Sequence, residues 1–383
     1  MNLKSVLLVA AAVVALPAPR SAVAQSPLDG LAISVGPGFE RYSFSSPENA
    51  GLKSVSLFSA PASARATVAG PLWLQLSGGY ASGTMIDARG REITLSGPLD
   101  TEVSLGLNMG RGPYTAALTG VAVTPTGSGR HTLAEAQVAS VIATEFLPFG
   151  IRSWGGGGSA GVALMTTRTL GQGSVGVGAG FLSSRQYSPF RNPDSDGSAG
   201  ADFVYQPGNR LQLRAAAERN LTRSSRLTLG FTFERTNADV MEENDLFRPG
   251  NRYQALGSYA FVLGGRSTAI LYTGGMRADG GVVLDPVLIN DFSSRTLGLV
   301  GAGMRVPVGG VILVPDLGGR IYRRGSGLGQ GYIGDAGLAM ELPSGPHAIT
   351  SGARFRYGNL VAGEGMESRI TGVDLTLNVR FGR

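Results

Sequence analysis

The chain has 383 residues, no cysteine and a formal net charge of +6. The lack of cysteine excludes disulfides, thiol chemistry and cysteine-based metal sites. Nearly all of the basic charge comes from arginines, which are scattered along the chain rather than grouped into a patch, and this distribution argues against binding to nucleic acid.

The first 24 residues contain the three parts of an export signal. Lys4 supplies the basic start, Val6 to Leu16 form an apolar stretch of 11 residues, and Ala22-Val23-Ala24 matches an A-x-A cleavage site. We therefore expect a signal peptide over 1–24 and a mature protein over 25–383. No cysteine follows the cleavage site, which excludes a lipoprotein anchor, and no later apolar run reaches the roughly 18 residues of a membrane-spanning helix.

Short segments in which apolar and polar residues alternate follow this signal and continue to the C-terminus. Successive side chains of a strand point to opposite faces, so each segment predicts a strand with one apolar and one polar face. Transmembrane strands need roughly 9–11 residues, with short turns on the periplasmic side and longer loops outside. We predict sixteen strands, or fourteen if the first two segments are not strands. Their approximate positions are 30–44, 52–68, 71–86, 99–110, 112–124, 157–169, 173–186, 208–219, 225–237, 249–263, 268–279, 292–306, 310–323, 331–343, 347–359 and 368–381.

The whole pattern predicts an all-β fold, a transmembrane antiparallel β-barrel in an outer membrane of the Gram-negative type. A soluble β-sandwich also alternates, but its apolar face is buried against a second sheet. The export signal and the strand lengths favour the barrel, whose outer face would contact outer-membrane lipid. Short turns such as Gly264-Gly265-Arg266 fit the periplasmic end, and the polar connections 186–209 and 238–248 are expected outside.

One segment, 125–157, breaks the β pattern and is predicted to be a helix-containing external loop. Thr132 and Glu135 have the spacing of a capping box, which predicts a helix over 132–146 that ends before Pro148. Gly155 to Gly158 would form a flexible hinge. The segment could be a lid or constriction in the barrel mouth, or a helix that covers the rim without a gating role. The residues assigned to the lid or constriction are Thr132, Glu135, Val138, Val141, Ile142, Phe146, Phe149 and Trp154.

Charged residues on the polar faces of the strands are candidates for lining a pore. An arginine that faces lipid at the middle of the membrane costs about 2–4 kcal/mol, so these side chains should point into the lumen. There they could set ion selectivity, or they could form salt bridges that hold the barrel in shape. The candidates are Arg214, Glu218, Glu234, Arg354, Arg356, Asp374 and Arg380.

Nothing in the sequence predicts an enzyme, a metal site or a cofactor. The two histidines, His131 and His347, fall at opposite ends of the predicted barrel, so they cannot share a metal ion or a proton relay. The glycine run at 155–158 lacks the strand, helix and lysine of a phosphate-binding loop. The acidic stretches 194–197 and 242–245 do not match a calcium loop and are expected to be solvated.

Two motifs suggest a family. Ser96-Gly97-Pro98-Leu99-Asp100-Thr101, followed by two strands and Pro125-Thr126-Gly127, resembles the outer-membrane transporters of hydrophobic compounds. These are the long-chain fatty acid transporters and the related channels of phenol degradation. The resemblance implies a hydrophobic substrate, although the N-terminal hatch usual in that family is not visible here. The last strand also resembles the signal read by the barrel assembly machinery, except that two residues follow the final aromatic. The residues of this signal are Gly372, Leu375, Leu377, Val379 and Phe381.

Three functions remain open. The first is a channel for passive uptake of small molecules, expected to be hydrophobic, which predicts apolar side chains in the lumen, with Trp73, Phe146, Phe149 and Trp154 as candidates. The second is a general diffusion porin with an open, charged constriction. The third is a structural or surface-interaction barrel without transport, whose lumen would be filled.

Overall fold

The alternating segments form the wall of a closed antiparallel barrel. The computed structural model describes residues 30–190, 204–284, 293–325, 330–363 and 365–382, so the predicted signal peptide lies outside the described residues. Sixteen strands pair in chain order, and the first closes on the last. No helix in the described ranges is long and apolar enough to cross a membrane.

Two of the sixteen barrel strands are interrupted. The first consists of β1 and β2, which are separated at Gly36 and Pro37, and the fourth consists of β5 and β6, which are separated at Leu99 and Asp100. In chain order the elements are β1 (Ala32–Val35), β2 (Gly38–Phe44), α1 (Pro47–Ala50), β3 (Leu52–Ala69), β4 (Leu72–Asp87), β5 (Glu92–Pro98), β6 (Thr101–Arg111), β7 (Tyr114–Thr124), α2 (Leu133–Ile142), β8 (Ser159–Leu170), β9 (Gly173–Ser184), β10 (Tyr205–Gln206), β11 (Arg210–Thr222), β12 (Ser225–Thr236), β13 (Asp239–Met241), β14 (Asn244–Arg248), β15 (Arg252–Leu263), β16 (Ser267–Ala278), β17 (Val282–Val283), β18 (Arg295–Val308), β19 (Val311–Arg324), β20 (Gln330–Ser344), β21 (His347–Gly363) and β22 (Met366–Phe381).

The strand register separates an apolar outer face from a polar inner face. On β22, Leu375, Leu377 and Phe381 point outward and are between 41% and 50% exposed. On the opposite face of the same strand, Ile370 is buried and Asp374 is held by an ion pair. Exposed apolar surface is unfavourable in water but not in lipid, so this exterior fits a bilayer.

The two ends of the barrel differ. At one end the strands are joined by tight turns whose glycines have positive φ, such as Gly70, Gly264, Gly309 and Gly345, with φ between 49° and 60°. Glycine adopts this left-handed conformation without steric cost. We call this the short-turn end, and the opposite end, which carries the longer connections, the loop end. In transmembrane barrels the loop end is extracellular.

The prediction of sixteen strands is confirmed, with one strand longer than expected. The fourth strand was predicted over 99–110, but it begins with β5 at Glu92. Gly97 and Leu95 lie inside the barrel on β5, whereas Glu102 and Ser104 lie inside on β6, so the inward positions change from odd to even at Leu99 and Asp100. This shift hides the continuity of the strand from a pattern search, because the alternation breaks there.

The connection 238–248 is not an irregular loop. It contains the hairpin of β13 and β14, whose turn holds Glu242 and Glu243 at φ 49° and 69°. With β10 and β17 the hairpin forms a separate four-stranded sheet at the loop end. Within the other long connection, 191–203 lie outside the described residues, and the acidic stretch 194–197 lies among them.

Candidate constriction and permeation path

The segment that connects β7 to β8 folds into the barrel instead of covering its rim. Helix α2 packs on the inner wall formed by β3, β4 and β5, where Val138 and Ile142 are completely buried. Gly83 provides the seat for the helix, because a Cβ there would lie 2.5 Å from Cδ1 of Ile142. The alternative of a helix that only covers the rim is therefore wrong, whereas a gating role of the segment stays a prediction.

The capping box of this helix is confirmed. The Thr132 hydroxyl accepts a hydrogen bond from the Glu135 amide, and the Glu135 carboxylate accepts one from the Thr132 amide. The predicted end of the helix is wrong, since α2 stops at Ile142 with Ala143 as its C-cap, well before Pro148. Val141 is only partly buried, and Phe146 lies beyond the helix.

Beyond α2, the chain crosses the lumen to the opposite wall. Glu145 forms ion pairs with Arg252 of β15 at 3.4 Å and Arg295 of β18 at 3.9 Å. The ring of Phe146 packs against Tyr322 of β19, with 5.8 Å between the ring centroids. The segment therefore bridges walls on opposite sides of the barrel and reduces the open cross-section between them.

The return path of the segment is anchored along β2 and β4. Phe149 meets the ring of Tyr42 edge to face at 5.0 Å, and the next amide, that of Gly150, donates to the Glu40 carboxylate at 2.8 Å. The Trp154 indole is almost completely buried and donates to the Ala81 carbonyl at 3.1 Å.

Asp100 holds both ends of the segment together. Its carboxylate accepts hydrogen bonds from the amides of Gly127 at 2.9 Å and Gly156 at 2.8 Å. Beside it, Thr126 accepts a hydrogen bond from the Thr101 amide at 2.8 Å. The two sequence motifs around Asp100 and Thr126 therefore meet in space and form the base of the segment.

The predicted hinge at Gly155 to Gly158 is held on two sides. Asp100 binds one side, and the ring of Tyr187 lies where a Cβ of Gly157 would be. Gly157 and Gly158 have φ of 77° and 89°, which is the conformation that requires glycine here. Burial is the main cause that raises the pKa of Tyr187, and the carboxylates of Asp239 and Asp100 add to it.

The apolar side chains expected in the lumen do not line an open path. Phe146, Phe149 and Trp154 are at most 5% exposed, because they anchor the segment to the barrel wall. Trp73 points inward near the short-turn end but is half-buried, with the guanidinium of Arg65 lying 4.3 Å from the ring centroid. The prediction that apolar side chains line an open path is therefore wrong for Phe146, Phe149 and Trp154.

The predicted pore-lining residues separate into two groups. Arg214, Glu218 and Glu234 lie on the inner face of β11 and β12, on the side of the barrel away from α2. They belong to a ladder of polar contacts in which Arg226 pairs with Glu218 at 3.5 Å and Arg210 pairs with Glu234 at 3.8 Å. Both pairs are partly exposed, so the ladder faces open space.

Arg354, Arg356 and Asp374 form the second group, which is a salt-bridge cluster under the segment. Arg356 is 3% exposed and binds Asp374 at 2.9 Å, Glu40 at 3.5 Å and the Tyr42 hydroxyl at 2.6 Å. A position this buried does not line an open lumen, so the prediction is wrong for Arg356. Arg354 remains partly exposed and pairs with two aspartates, at 2.6 Å and 3.4 Å.

The last strand places the remaining predicted residues. Arg380 is exposed on the inner face near the short-turn end, where it pairs across the strands with Ser34 and Ala348. Gly372 also faces inward, and a Cβ there would lie 2.9 Å from the Tyr42 ring. The other four residues of the expected assembly signal face outward, and their recognition stays a prediction.

Sequence reasoning missed many charged residues of the lumen. Their positions follow from the same alternation; Arg210, for example, shares the parity of Arg214. On the described barrel strands, arginines outnumber carboxylates on the inner face. The inward arginines are Arg65, Arg210, Arg214, Arg226, Arg252, Arg295, Arg305, Arg320, Arg324, Arg354, Arg356 and Arg380; the inward carboxylates are Glu40, Glu102, Glu218, Glu234, Asp316, Asp335, Glu341 and Asp374.

One side of the lumen is open. On β11, outward Leu213 and inward Arg214 are both exposed, and on β15 the inward Leu256 is 54% exposed. On β3, by contrast, the inward Val55 and Leu57 are completely buried beneath α2. The barrel is therefore filled on the β2–β5 side and has exposed inward side chains on β8, β11 and β15.

The open side has two chemically different walls. The inner faces of β11 and β12 carry the arginine ladder, whereas those of β7, β8 and β9 carry small and apolar residues. Among the latter, Met165 is 40% exposed and Ala163 is also exposed. Towards the short-turn end, a cavity of about 500 Å³ continues beneath the segment and is lined by Asp100, Glu102 and Ser153.

The chain is similar to known proteins in structure but not in sequence. No family model and no curated protein matches the sequence. Matching solved structures include Pseudomonas aeruginosa OpdO, at 12% identity and a TM-score of 0.47 over 93% of this chain and 98% of that one. Acinetobacter baumannii OccAB3 matches at 10% and 0.44 over 92% and 99%, and a bacterial polysaccharide outer membrane secretin at 7% and 0.47 over 92% and 99%.

Within the described ranges, no group of three or more histidine or carboxylate side chains could hold a metal ion. His131 lies beside the start of α2, and its amide donates to the Pro189 carbonyl at 2.9 Å. His347 lies at the short-turn end, where its ring packs against Phe381.

Proposed function

We propose that the protein is an outer-membrane channel for passive diffusion of small organic anions, with the segment 125–157 as its constriction. The observation that carries this proposal is the exposure of inward side chains on β8, β11 and β15, such as Met165, Arg214 and Leu256, while α2 fills the opposite side. A purely structural barrel would have no reason to keep that half of its lumen accessible.

The charge of the lumen supports anions over cations. Arginines outnumber carboxylates on the inner face, and the ladder of Arg210, Arg214 and Arg226 lies on the open side. Rings of charge in a narrow, low-dielectric path raise the local concentration of ions of opposite sign. The guanidinium group also matches the planar geometry of a carboxylate.

Exposed apolar side chains on the open side of the lumen support solutes that have an apolar organic part. Met165 and Leu256 are exposed inside the lumen and lie on either side of the arginine ladder. The hydrophobic substrate implied by the family resemblance is thereby narrowed to a solute with both an apolar part and a negative charge. The alternative of a general diffusion porin predicts no preference for such a solute.

The same proposal includes a route to the membrane. The signal peptide over 1–24 would direct export, the barrel assembly machinery would read the last strand, and the exposed apolar exterior would contact outer-membrane lipid. The loop end would then face the outside.

Bi-ionic potentials across planar bilayers test the substrate class. We expect benzoate to permeate better than threonate, a hydroxylated carboxylate of similar mass, relative to chloride, because benzoate has an aromatic ring for the exposed apolar side chains and threonate does not. Met165→Ser with Leu256→Ser should remove this difference while chloride conductance persists. Equal permeability of both anions in the unmodified protein would support the general porin instead.

A further inference from the structure

The outer surface of the barrel contains a groove that the channel function does not use. It has a volume of about 690 Å³ and crosses β12, β15, β16, β18 and β19 on the face that points to lipid. Two successive rows of outward residues line it. One row runs through Thr273, Val300 and Gly319, and the next runs through Leu271, Ala302 and Leu317.

The groove is open because small residues alternate with large ones across the strands. Gly257 and Gly319 line it, as do the larger residues Leu229 and Leu317. Atoms that line an unfilled gap lose dispersion contacts, so an acyl chain of matching width would be stabilised in this depression.

Arginines lie directly above the groove at the loop end. Arg277 pairs across the strands with Thr296, which pairs with Arg323, so the two arginines share one outward row. They are two strand spacings apart, or about 10 Å. Both are exposed; Arg277 contacts Asp279 at 3.5 Å, but its side chain is still 68% accessible.

A continuous path joins the arginine row to the groove. The row between them contains Gly275 opposite Gly298, and a Cβ on Gly298 would meet no atom within 4 Å. Two residues along a strand advance about 7 Å, so the groove begins roughly 14 Å below the arginines. This is the arrangement of a polar head above an acyl chain.

We propose that this face binds a glycolipid of the outer leaflet that carries two phosphate groups. The phosphates would lie on Arg277 and Arg323, and one acyl chain would pass over Gly298 into the groove. Two separated cations at the loop end match two phosphates better than the single phosphate of a phospholipid, and exposed arginines near a membrane surface attract anionic lipid.

Native mass spectrometry of the refolded mature protein tests this proposal. The probes are diphosphorylated lipid A, phosphatidylglycerol and phosphatidylcholine, each added to detergent micelles. We expect lipid A to bind most tightly. Arg277→Ala and Arg323→Ala should each weaken binding about fivefold, as expected for a basic residue near a membrane surface.

Matched controls separate this site from general charge and surface effects. Arg41→Ala and Arg369→Ala remove outward arginines from β2 and β22 and should leave lipid A binding unchanged. Gly298→Leu should block the path of the acyl chain. Gly120 also faces lipid and open space, but it lies on β7, which does not form the groove, so Gly120→Leu should leave lipid A binding unchanged. Retention of the folded band on unheated gels verifies that each variant forms a barrel.

Three outcomes would overturn the proposal. Equal binding of phosphatidylglycerol and lipid A would remove the two-phosphate assignment. An equal loss of lipid A binding in Arg41→Ala and Arg277→Ala would show that general surface charge, not this site, attracts the lipid. A lipid-free oligomer that dissociates in Gly298→Leu would show that the groove is a contact between copies of the chain.

Discussion

At the scale of single residues, Asp100 determines where the constriction is held. Its one carboxylate binds the amides of Gly127 and Gly156, which are 29 positions apart in the chain but adjacent in space. Hydrogen bonds to a charged group contribute about 1.5–3 kcal/mol each, so a single side chain has a large effect on the position of the whole segment.

Removal of that carboxylate should loosen the segment. In Asp100→Ala both hydrogen bonds are lost, whereas in Asp100→Asn one acceptor oxygen remains. We therefore expect trypsin to cleave at Arg130 and Arg152 fastest in Asp100→Ala, more slowly in Asp100→Asn and slowest in the unmodified protein. Asp87→Ala is the control, because Asp87 binds only Arg89 and Arg91 in its own hairpin. Identical cleavage rates in Asp100→Ala and the unmodified protein would contradict this role.

The buried Arg356 should matter for stability more than for selectivity. Arg356→Met leaves the buried Glu40 and the partly buried Asp374 without their cation, which costs about 3–5 kcal/mol. We expect a clear fall in the temperature at which the folded band disappears on gels. Arg214→Met, which removes an exposed lumen arginine, should leave that temperature nearly unchanged, and a similar fall in both variants would argue against the difference in burial.

The inward or outward direction of a side chain could be predicted where the alternation is unbroken, but its contacts could not. The inward direction of Arg214 and Arg356 follows from parity alone. That one is exposed and the other buried depends on the segment 125–157, which lies more than fifty residues from either in sequence. No local pattern encodes such a contact.

At the scale of elements, the segment and its helix divide the lumen. The start of α2 was predictable because a capping box is a local signal of four residues. Its end was not, because the chain leaves the helix at Ala143 to bring Glu145 and Phe146 to the opposite wall. Tertiary contacts of this kind override the helical pattern that continues to Phe146.

Replacement of 128–153 by a short Gly-Ser linker should enlarge the channel. Gly127, Gly156 and their bonds to Asp100 would remain, so the base of the segment would be preserved. We expect single-channel conductance to rise severalfold, since the crossing from α2 to β18 and β19 is removed. Conductance equal to that of the unmodified protein would show that the segment does not limit the path.

At the scale of the whole molecule, sixteen strands enclose a lumen wider than its contents. Strand number and the outer lipid face could be predicted from alternation and turns, because both are repeated in every strand. The separation into a filled and an open side could not, since it depends on which wall α2 packs against. The outward groove beneath Arg277 and Arg323 could not be predicted either, because residues from five strands form it together.

The most direct test of an open, anion-preferring lumen is the reversal potential of single channels in a KCl gradient. We predict steady conductance steps with chloride preferred over potassium. A triple variant should move the reversal potential towards the equilibrium potential of potassium; it combines Arg210→Gln, Arg214→Gln and Arg226→Gln. The reason is that Glu218 and Glu234 then lack the arginines that pair with them. Removal of three charges on the outer face should leave the reversal potential unchanged; the residues are Arg277, Arg323 and Arg235, which pairs with the outward Leu211 on β11. Absence of conductance in the unmodified protein, or cation preference, would contradict the account.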